Sequence, residues 1–176
     1  RLSLVGSEMC IRDRFYLLDQ KRDAEGRPQP ALDADGGRPR QTQVYGLREL
    51  EQIEPFLRDL YAACKAQGIP ARTAISEYAP GQVEITLEHG PVLAAMDQAV
   101  RYKRLVKGVA HRHGMQACFM AKPFDHLAGT GMHMHVSLAD AQGNNLFASE
   151  DPAGTPLLRH AVGGMLASLL LSLIHI

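Results

Sequence analysis

Polar and apolar residues alternate along several stretches of the chain, and a period of two is typical of strands that are buried on one face. Such alternation predicts strands near residues 72–78, at 82–87 and at 133–138. Short apolar runs at 15–18 and 115–121 predict two further strands, because a continuous apolar run suits a strand that is covered on both faces.

Three longer stretches repeat apolar residues at spacings of three and four, which is the period of an amphipathic helix. They predict helices at about 47–67, 91–114 and 156–168, the first ended by Gly68 and the second by Gly114. The stripe expected to be buried on the second helix comprises Leu93, Met96, Val100, Leu105 or Val106, and Val109. Residues 19–40 are polar and rich in Gly, Pro and Asp, and predict a long exposed loop.

The segment 129–138 reads GTGMHMHVSL, a glycine-rich turn that leads into a strand. Side chains alternate across a strand, so three polar residues share one face and three apolar residues a dry face. The polar face carries His133, His135 and Ser137, and the dry face carries Met132, Met134 and Val136. We expect Gly129 and Gly131 to adopt a positive φ and to let a ligand approach the backbone amides. An ordinary half-exposed strand is the alternative interpretation.

Composition predicts a globular protein, since 45% of the 176 residues are apolar and 22% are charged. The 19 Lys and Arg balance the 19 Asp and Glu, which indicates neither a nucleic-acid partner nor a membrane partner. The cysteines at positions 10, 64 and 118 have no metal-type spacing and favour a reducing compartment. The apolar tail at 165–176 is too short to span a bilayer, so we expect a cytoplasmic protein.

The two ends of the chain differ in character from the rest. Residues 1–14 read RLSLVGSEMCIRDR and have neither clean alternation nor helical spacing, and residues 169–176 read LLLSLIHI. We interpret both ends as foreign sequence joined to a partial domain at 15–168. Native tails are the alternative.

Two glutamates flank the turn predicted at Pro80 and Gly81, and the turn would fold the neighbouring strands back so that the carboxylates of Glu77 and Glu84 converge. Two carboxylates with one imidazole, that of His133, suit a hard divalent cation, and the lack of thiolates argues against structural zinc. Mg²⁺ or Mn²⁺ beside a glycine-rich turn indicates phosphoryl transfer. Two solvated strand glutamates are the ordinary alternative.

Three motifs together, and in this order, resemble glutamine synthetase: EYAPGQVE at 77–84, FMAKP at 119–123 and GTGMHMHVSL at 129–138. The resemblance implies an α+β fold, namely a fragment of the glutamine synthetase catalytic domain in which a curved antiparallel sheet has helices packed outside. It also implies a ligase that phosphorylates the γ-carboxylate of glutamate with ATP and then lets ammonia or an amine displace the phosphate. Mg²⁺ or Mn²⁺ as the metal and a homo-oligomer for the intact protein follow from the same resemblance.

The resemblance also implies roles for single residues. Glu77 and Glu84 match glutamates that hold one catalytic metal, and His133 matches the histidine that holds the second. His135 and Ser137 fall where the family contacts ATP, and Gly129 falls where its backbone meets the glutamate substrate. No residue is assigned as a catalytic group.

The chain departs from the family pattern at two places. Residues 128–131 read AGTG where ammonia-using members have Asn-Gly-Ser-Gly, and with AKPF at 121–124 this is more similar to γ-glutamylpolyamine synthetases, which use putrescine or a related amine. Arg12 and Arg14 stand where the family has Glu-x-Glu, and guanidinium groups repel a cation. We therefore expect the chain as written to be inactive. A non-catalytic scaffold and a metal-independent amine-binding module are the alternatives.

Overall fold

The longest strand of the sheet occupies its centre. The computed structural model describes residues 7–41 and 44–173. The elements in chain order are β1 (Ser7–Asp19), α1 (Leu47–Glu51), α2 (Glu54–Ala66), β2 (Ala71–Ser76), β3 (Gln82–Pro91), α3 (Val92–Arg112), β4 (Met115–Cys118), β5 (His133–Leu138) and α4 (Pro156–Leu173).

Strand β1 pairs on both of its edges, and every pairing is antiparallel. Strand β3 runs along one edge, and β2 extends the sheet beyond β3. The other edge is shared by β5, which lies beside residues 7–12, and β4, which lies beside residues 16–19. Helices pack on this unclosed antiparallel sheet, so the expected α+β fold is confirmed.

The main core lies between one face of the sheet and helices α2 and α3. Phe15 on β1 occupies its centre, with ring centroids 6.3 Å from Phe56 on α2 and 5.2 Å from Phe119. The remaining buried strand residues that face this core are Met9, Ile11, Leu17, Val83, Ile85, Leu87, Met115 and Ala117. Burial of these side chains is the main favourable contribution to folding.

Strand β1 begins at Ser7, eight residues before the apolar run at 15–18 that predicted it, so the predicted start is wrong. The strand does alternate, because Met9, Ile11 and Phe15 are buried in the core. Asp13 falls on the same face and interrupts the apolar pattern, which hid the strand from the sequence analysis. The foreign origin of residues 1–14 stays a prediction.

The helix predicted at 47–67 is two helices, with a break at Gln52 and Ile53. Pro55 causes this break, because proline has no N–H to donate to the carbonyl of Glu51 and its ring clashes with that carbonyl. Gly68 ends α2 with φ +64°, as expected.

The buried stripe of α3 is rotated relative to the expected one. Val106 and Val109 are buried as predicted, but the outer surface carries Leu93, Met96 and Val100. The buried face otherwise consists of Ala95, Ala99, Tyr102 and Ala110. Small alanines let the helix lie close to the sheet, and a search for large apolar residues overlooks them.

Helix α4 extends past Ser168, where it was predicted to end, and reaches Leu173. Strand β3 is also longer than expected and runs to Pro91, whereas β4 stops at Cys118 instead of continuing to Ala121. Within the described ranges, none of the helices has both the length and the apolarity needed to cross a membrane.

Candidate active site

The face of the sheet opposite the main core carries the polar residues of three strands. Residues with even numbers on β1 point to this face, because side chains alternate along a strand. The strand register places Arg14 opposite Glu84 on β3 and Arg12 opposite His133 on β5. The central strand therefore sets two guanidinium groups between a carboxylate on one side and an imidazole on the other.

Glu77 and Glu84 converge, as the turn between β2 and β3 led us to expect. Their common partner is Arg14, whose Nη2 lies 2.7 Å from Oε2 of Glu84 and whose Nε lies 3.3 Å from Oε1 of Glu77. The side chains of Glu84 and Glu77 are only 1% and 5% exposed. Burial is costly for a carboxylate unless a charge compensates it, so Arg14 is the group that makes this pair tolerable.

Arg12 joins His133 to the same cluster. Its Nη2 donates a hydrogen bond to Nδ1 of His133 over 2.8 Å, and its Nη1 lies 3.8 Å from Oε1 of Glu84. A guanidinium has no acceptor atom, so Nδ1 of His133 must accept and the proton of the neutral ring must reside on Nε2. An imidazole held in this way has no lone pair left for another ligand.

The residues around Arg12 and Arg14 do not fit a divalent cation. Within the described part of the chain, no three His, Cys, Asp or Glu side chains are arranged so that they could hold a metal ion. Two guanidinium groups and two carboxylates already sum to zero charge, which leaves no net attraction for an added cation. The metal-binding roles of Glu77, Glu84 and His133 therefore stay predictions.

The glycine-rich loop at 128–131 is anchored to this face by its carbonyl oxygens. The hydroxyl of Tyr16 donates to the carbonyl of Ala128 over 2.5 Å, and Nε2 of Gln82 donates to that of Gly129 over 2.9 Å. Nη1 of Arg14 donates to the carbonyl of Gly131 over 3.1 Å. These bonds fix the loop beside the cluster of arginines and glutamates.

Tyr16 and Gln82 are site residues that the sequence analysis missed. Burial, reinforced by the nearby Cys118, raises the pKa of Tyr16 to about 12, so its hydroxyl keeps the proton that it donates. Their alternation along the strands could have identified them, because Tyr16 and Gln82 fall on the same face of the sheet as Arg14 and Glu84.

The expectation of a positive φ at Gly129 and Gly131 is wrong, since neither belongs to the glycines with that conformation. Glycine is nevertheless favoured at position 129, because there is little space for a side chain. An added Cβ there would lie 3.0 Å from the carbonyl oxygen of Ala121. Close approach of another backbone segment, and not an unusual dihedral angle, explains this glycine.

His135 and Ser137 lie further along β5, opposite Cys10 and Glu8 of β1, and the register confirms that they share a face with His133. The face predicted to be dry is only partly so. Met132 packs against the main core, but Met134 and Val136 are 50% and 44% exposed. Helix α3 packs on β1, β3 and β4, and β5 extends the sheet beyond that cover.

Comparison with known proteins gives three kinds of match. The sequence model of the family described as "Glutamine synthetase, catalytic domain" matches residues 6–174. The γ-glutamylputrescine synthetase PuuA of Escherichia coli (strain K12) is 42% identical over 160 residues, which are 90% of this chain and 34% of that enzyme. The glutamine synthetase of Thermotoga maritima is 34% identical over 163 residues, 92% of this chain and 34% of that enzyme.

Solved structures give the same result for the fold. The structure of GmaS in complex with ADP superposes with a TM-score of 0.72 at 28% identity, covering 93% of this chain and 36% of that chain. GmaS without ligand gives the same TM-score and identity and covers 37% of that chain. The chain thus spans about a third of the length of the relatives that it matches.

Proposed function

Because the chain belongs to the glutamine synthetase family, we propose that it is part of an ATP-dependent ligase that joins ammonia or an amine to the γ-carboxylate of glutamate. The observation that supports this proposal is the convergence of Glu77, Glu84 and His133 on one sheet face, beside the anchored loop at 128–131. These residues belong to two of the motifs that resemble the family, those at 77–84 and 129–138, and their side chains contact Arg12 and Arg14 of β1.

The proposed reaction has two steps. An oxygen of the glutamate γ-carboxylate attacks the terminal phosphorus of ATP and ADP leaves; the amine nitrogen then attacks the acyl carbon and phosphate leaves. Gly129 would offer its backbone to the glutamate, with the loop held in place by Gln82 and Tyr16. His135 and Ser137 would contact ATP from β5. Mg²⁺ or Mn²⁺ is the proposed metal of the enzyme, but no step is assigned to it because the residues of this chain do not fit it.

For the amine substrate we propose putrescine or a related small amine. Ala128 supports this, because it stands where ammonia-using members have an asparagine, and Thr130 does not compensate for the loss: its Oγ1 donates to the carbonyl of Met120 and its N–H donates to that of Ala121, so its side chain is turned into the loop. It therefore does not replace the amide side chain that ammonia-using members present at this loop. Two relatives are named after amine substrates: the γ-glutamylputrescine synthetase above and the glutamate–isopropylamine ligase of a Pseudomonas species. The second is 36% identical over 103 residues, which are 58% of this chain and 21% of that enzyme.

Steady-state kinetics on the full-length enzyme, expressed from its genomic reading frame, would test the amine preference. We expect a higher kcat/KM for putrescine than for ammonia. A strong preference for ammonia would contradict the polyamine assignment but leave the ligase assignment intact, and the absence of ATP-dependent amide formation with either substrate would contradict both.

A non-catalytic scaffold is the second candidate, and the pairing of Arg12 and Arg14 with the acidic residues favours it. The genomic sequence before the codon of Phe15 separates the two candidates. Carboxylates encoded at positions 12 and 14 would support the ligase and our proposal that residues 1–14 are foreign, and the genomic sequence after the codon of Ser168 tests the same proposal for residues 169–176. Arginines encoded there would make the scaffold the better assignment.

We propose that the 176-residue chain alone has no synthetase activity, and ATP-dependent amide formation by the purified chain would contradict this. For the intact protein we propose a homo-oligomer in the cytoplasm. Light scattering on the full-length protein would measure its mass in solution.

A further inference from the structure

Arg12 and Arg14 contact every residue of the expected metal site, namely Glu77, Glu84 and His133. We propose that their two guanidinium groups act as a permanent internal cation, which binds Glu77, Glu84 and His133 together and excludes divalent metal ions from this face. The proposal concerns the chain as it stands and does not depend on the ligase activity.

Charge is the first argument. Two guanidinium groups carry the same total charge as one divalent cation, and two buried carboxylates face them. Arg14 is bound from both sides, through Nε by Glu77 and through Nη2 by Glu84. It therefore bridges two carboxylates, one directly after β2 and one on β3, as a bound ion would, instead of forming the parallel two-bond pair that is usual between one arginine and one carboxylate.

The orientation of Glu84 is the second argument. Its side chain is 1% exposed, yet neither of its oxygens makes a well-aligned hydrogen bond, although Nη2 of Arg14 is only 2.7 Å away. A buried carboxylate normally has aligned donors. The short distance with poor alignment describes a carboxylate that is directed at a centre of positive charge and not at a particular N–H bond.

The state of His133 is the third argument. Its Nδ1 accepts the hydrogen bond from Arg12, so its only other nitrogen carries the proton of the neutral ring. Metal binding requires a free lone pair on an imidazole nitrogen. Arg12 therefore blocks the histidine as a ligand while its charge repels the metal.

Mn²⁺ binding to the purified 176-residue chain, followed by electron paramagnetic resonance of the free ion, tests the proposal. We expect wild type to bind no Mn²⁺ at this face. Arg12→Gln/Arg14→Gln should bind about one Mn²⁺ per chain, about tenfold or more above the detection limit that wild type sets, because two repelling charges have gone and Glu77, Glu84 and His133, no longer held by the arginines, can move together around the ion.

The matched control is a double variant that changes the net charge by the same amount but lies away from Arg12 and Arg14. Arg58 and Arg72 pair with Glu54 and Glu88 on exposed surfaces, so Arg58→Gln/Arg72→Gln also removes two arginine ion pairs. We expect this control to bind Mn²⁺ no better than wild type. Equal binding by a folded Arg12→Gln/Arg14→Gln and the control would overturn the proposal, and so would Mn²⁺ binding to wild type that Glu84→Gln abolishes.

The single variant Arg12→Gln tests the proposal if the double variant does not fold. We expect this variant to fold, because Arg12 is 38% exposed and Arg14 still compensates the charges of both glutamates. Nitrogen-15 NMR of the imidazole should find His133 of wild type in the Nε2–H tautomer. In the Arg12→Gln variant we expect the Nδ1 signal of His133 to shift, because a charged donor has been replaced, and we expect Mn²⁺ to perturb the His133 signals. A His133 spectrum that is the same in both proteins would overturn the proposal.

Discussion

The two faces of β1 are both largely closed to solvent, but they are closed by different physical means. On one face Ile11, Phe15 and Leu17 pack against α2 and α3, where contacts are apolar and non-directional. On the other face Arg12 and Arg14 are matched with particular carboxylates, and each charge depends on its partner. An apolar face loses stability in proportion to the volume removed, whereas a charged face loses it according to which charge is left alone.

Phe15→Ala should be the most damaging single change on the apolar face. Phe15 is fully buried between Phe56 and Phe119, and removal of its ring leaves a cavity that the rigid sheet cannot close. We expect the free energy of unfolding to fall by about 4 kcal/mol. Urea denaturation measures it, with Leu93→Ala as the control. Leu93 is 83% exposed, and a comparable loss there would show that the two faces of α3 are misassigned.

Arg14→Met tests the charged face, and we expect a loss of about 3 kcal/mol because Glu77 and Glu84 are left buried without their main counter-charge. In a double-mutant cycle, Glu84→Gln should lose less in the Arg14→Met background than in wild type, with a coupling energy of about 1–3 kcal/mol. Additive losses in urea denaturation would mean that the pair contributes nothing as a pair.

The difference between the faces also explains what the sequence could predict. The apolar run at 15–18, the alternation at 82–87 and the strand at 133–138 each predicted a strand that the structure contains, because each has at least one uniformly apolar face. The first half of β1 was missed because Asp13 sits on its core face and is paired with Lys103 from a helix far along the chain. No local pattern encodes such a partner.

In the candidate site, too, the features that depend on local sequence were predicted and those that depend on distant partners were not. The convergence of Glu77 and Glu84 and the shared face of His133, His135 and Ser137 follow from local periodicity and one turn. The roles of Tyr16 and Gln82 depend on the loop at 128–131, more than 40 positions further along the chain than Gln82. Long-range hydrogen bonds of this kind are a property of the fold and not of either segment.

Tyr16→Phe should have a smaller effect, about 1 kcal/mol, because it removes one hydrogen bond to Ala128 and leaves the ring packed against Phe124. We expect the loss to be local, so hydrogen exchange at the amide of Thr130, which donates to Ala121, should become faster. Tyr45→Phe is the control, since Tyr45 is exposed. Unchanged exchange at Thr130 would mean that Tyr16 does not hold the loop.

The smallest expected effect concerns a buried carboxylate on the core face of β1, and it is the pH dependence that Asp13 contributes. Burial raises the pKa of Asp13 above its ordinary value of 3.8, and Lys103 at 3.5 Å offsets this only in part. Since the folded state holds the proton more tightly than the unfolded state, the contribution of Asp13 to stability is fully present below pH 3.8 and is lost as the pH rises through the raised pKa.

Asp13→Asn removes this titration, so the unfolding free energy of wild type minus that of the variant should fall as the pH rises from about 3.8 to neutrality. Asp19, at the end of the same strand, is the control with the opposite sign. A hydrogen bond from Arg38 lowers the pKa of Asp19, so its stabilising contribution is lost as the pH falls below 3.8 through the lowered pKa. Urea denaturation across pH 3–7 measures both differences. If the free-energy differences for Asp13→Asn and Asp19→Asn had equal slopes against pH, the two carboxylates would have equivalent surroundings. Burial of Asp13 by α3 would then be less complete than the packing around it indicates.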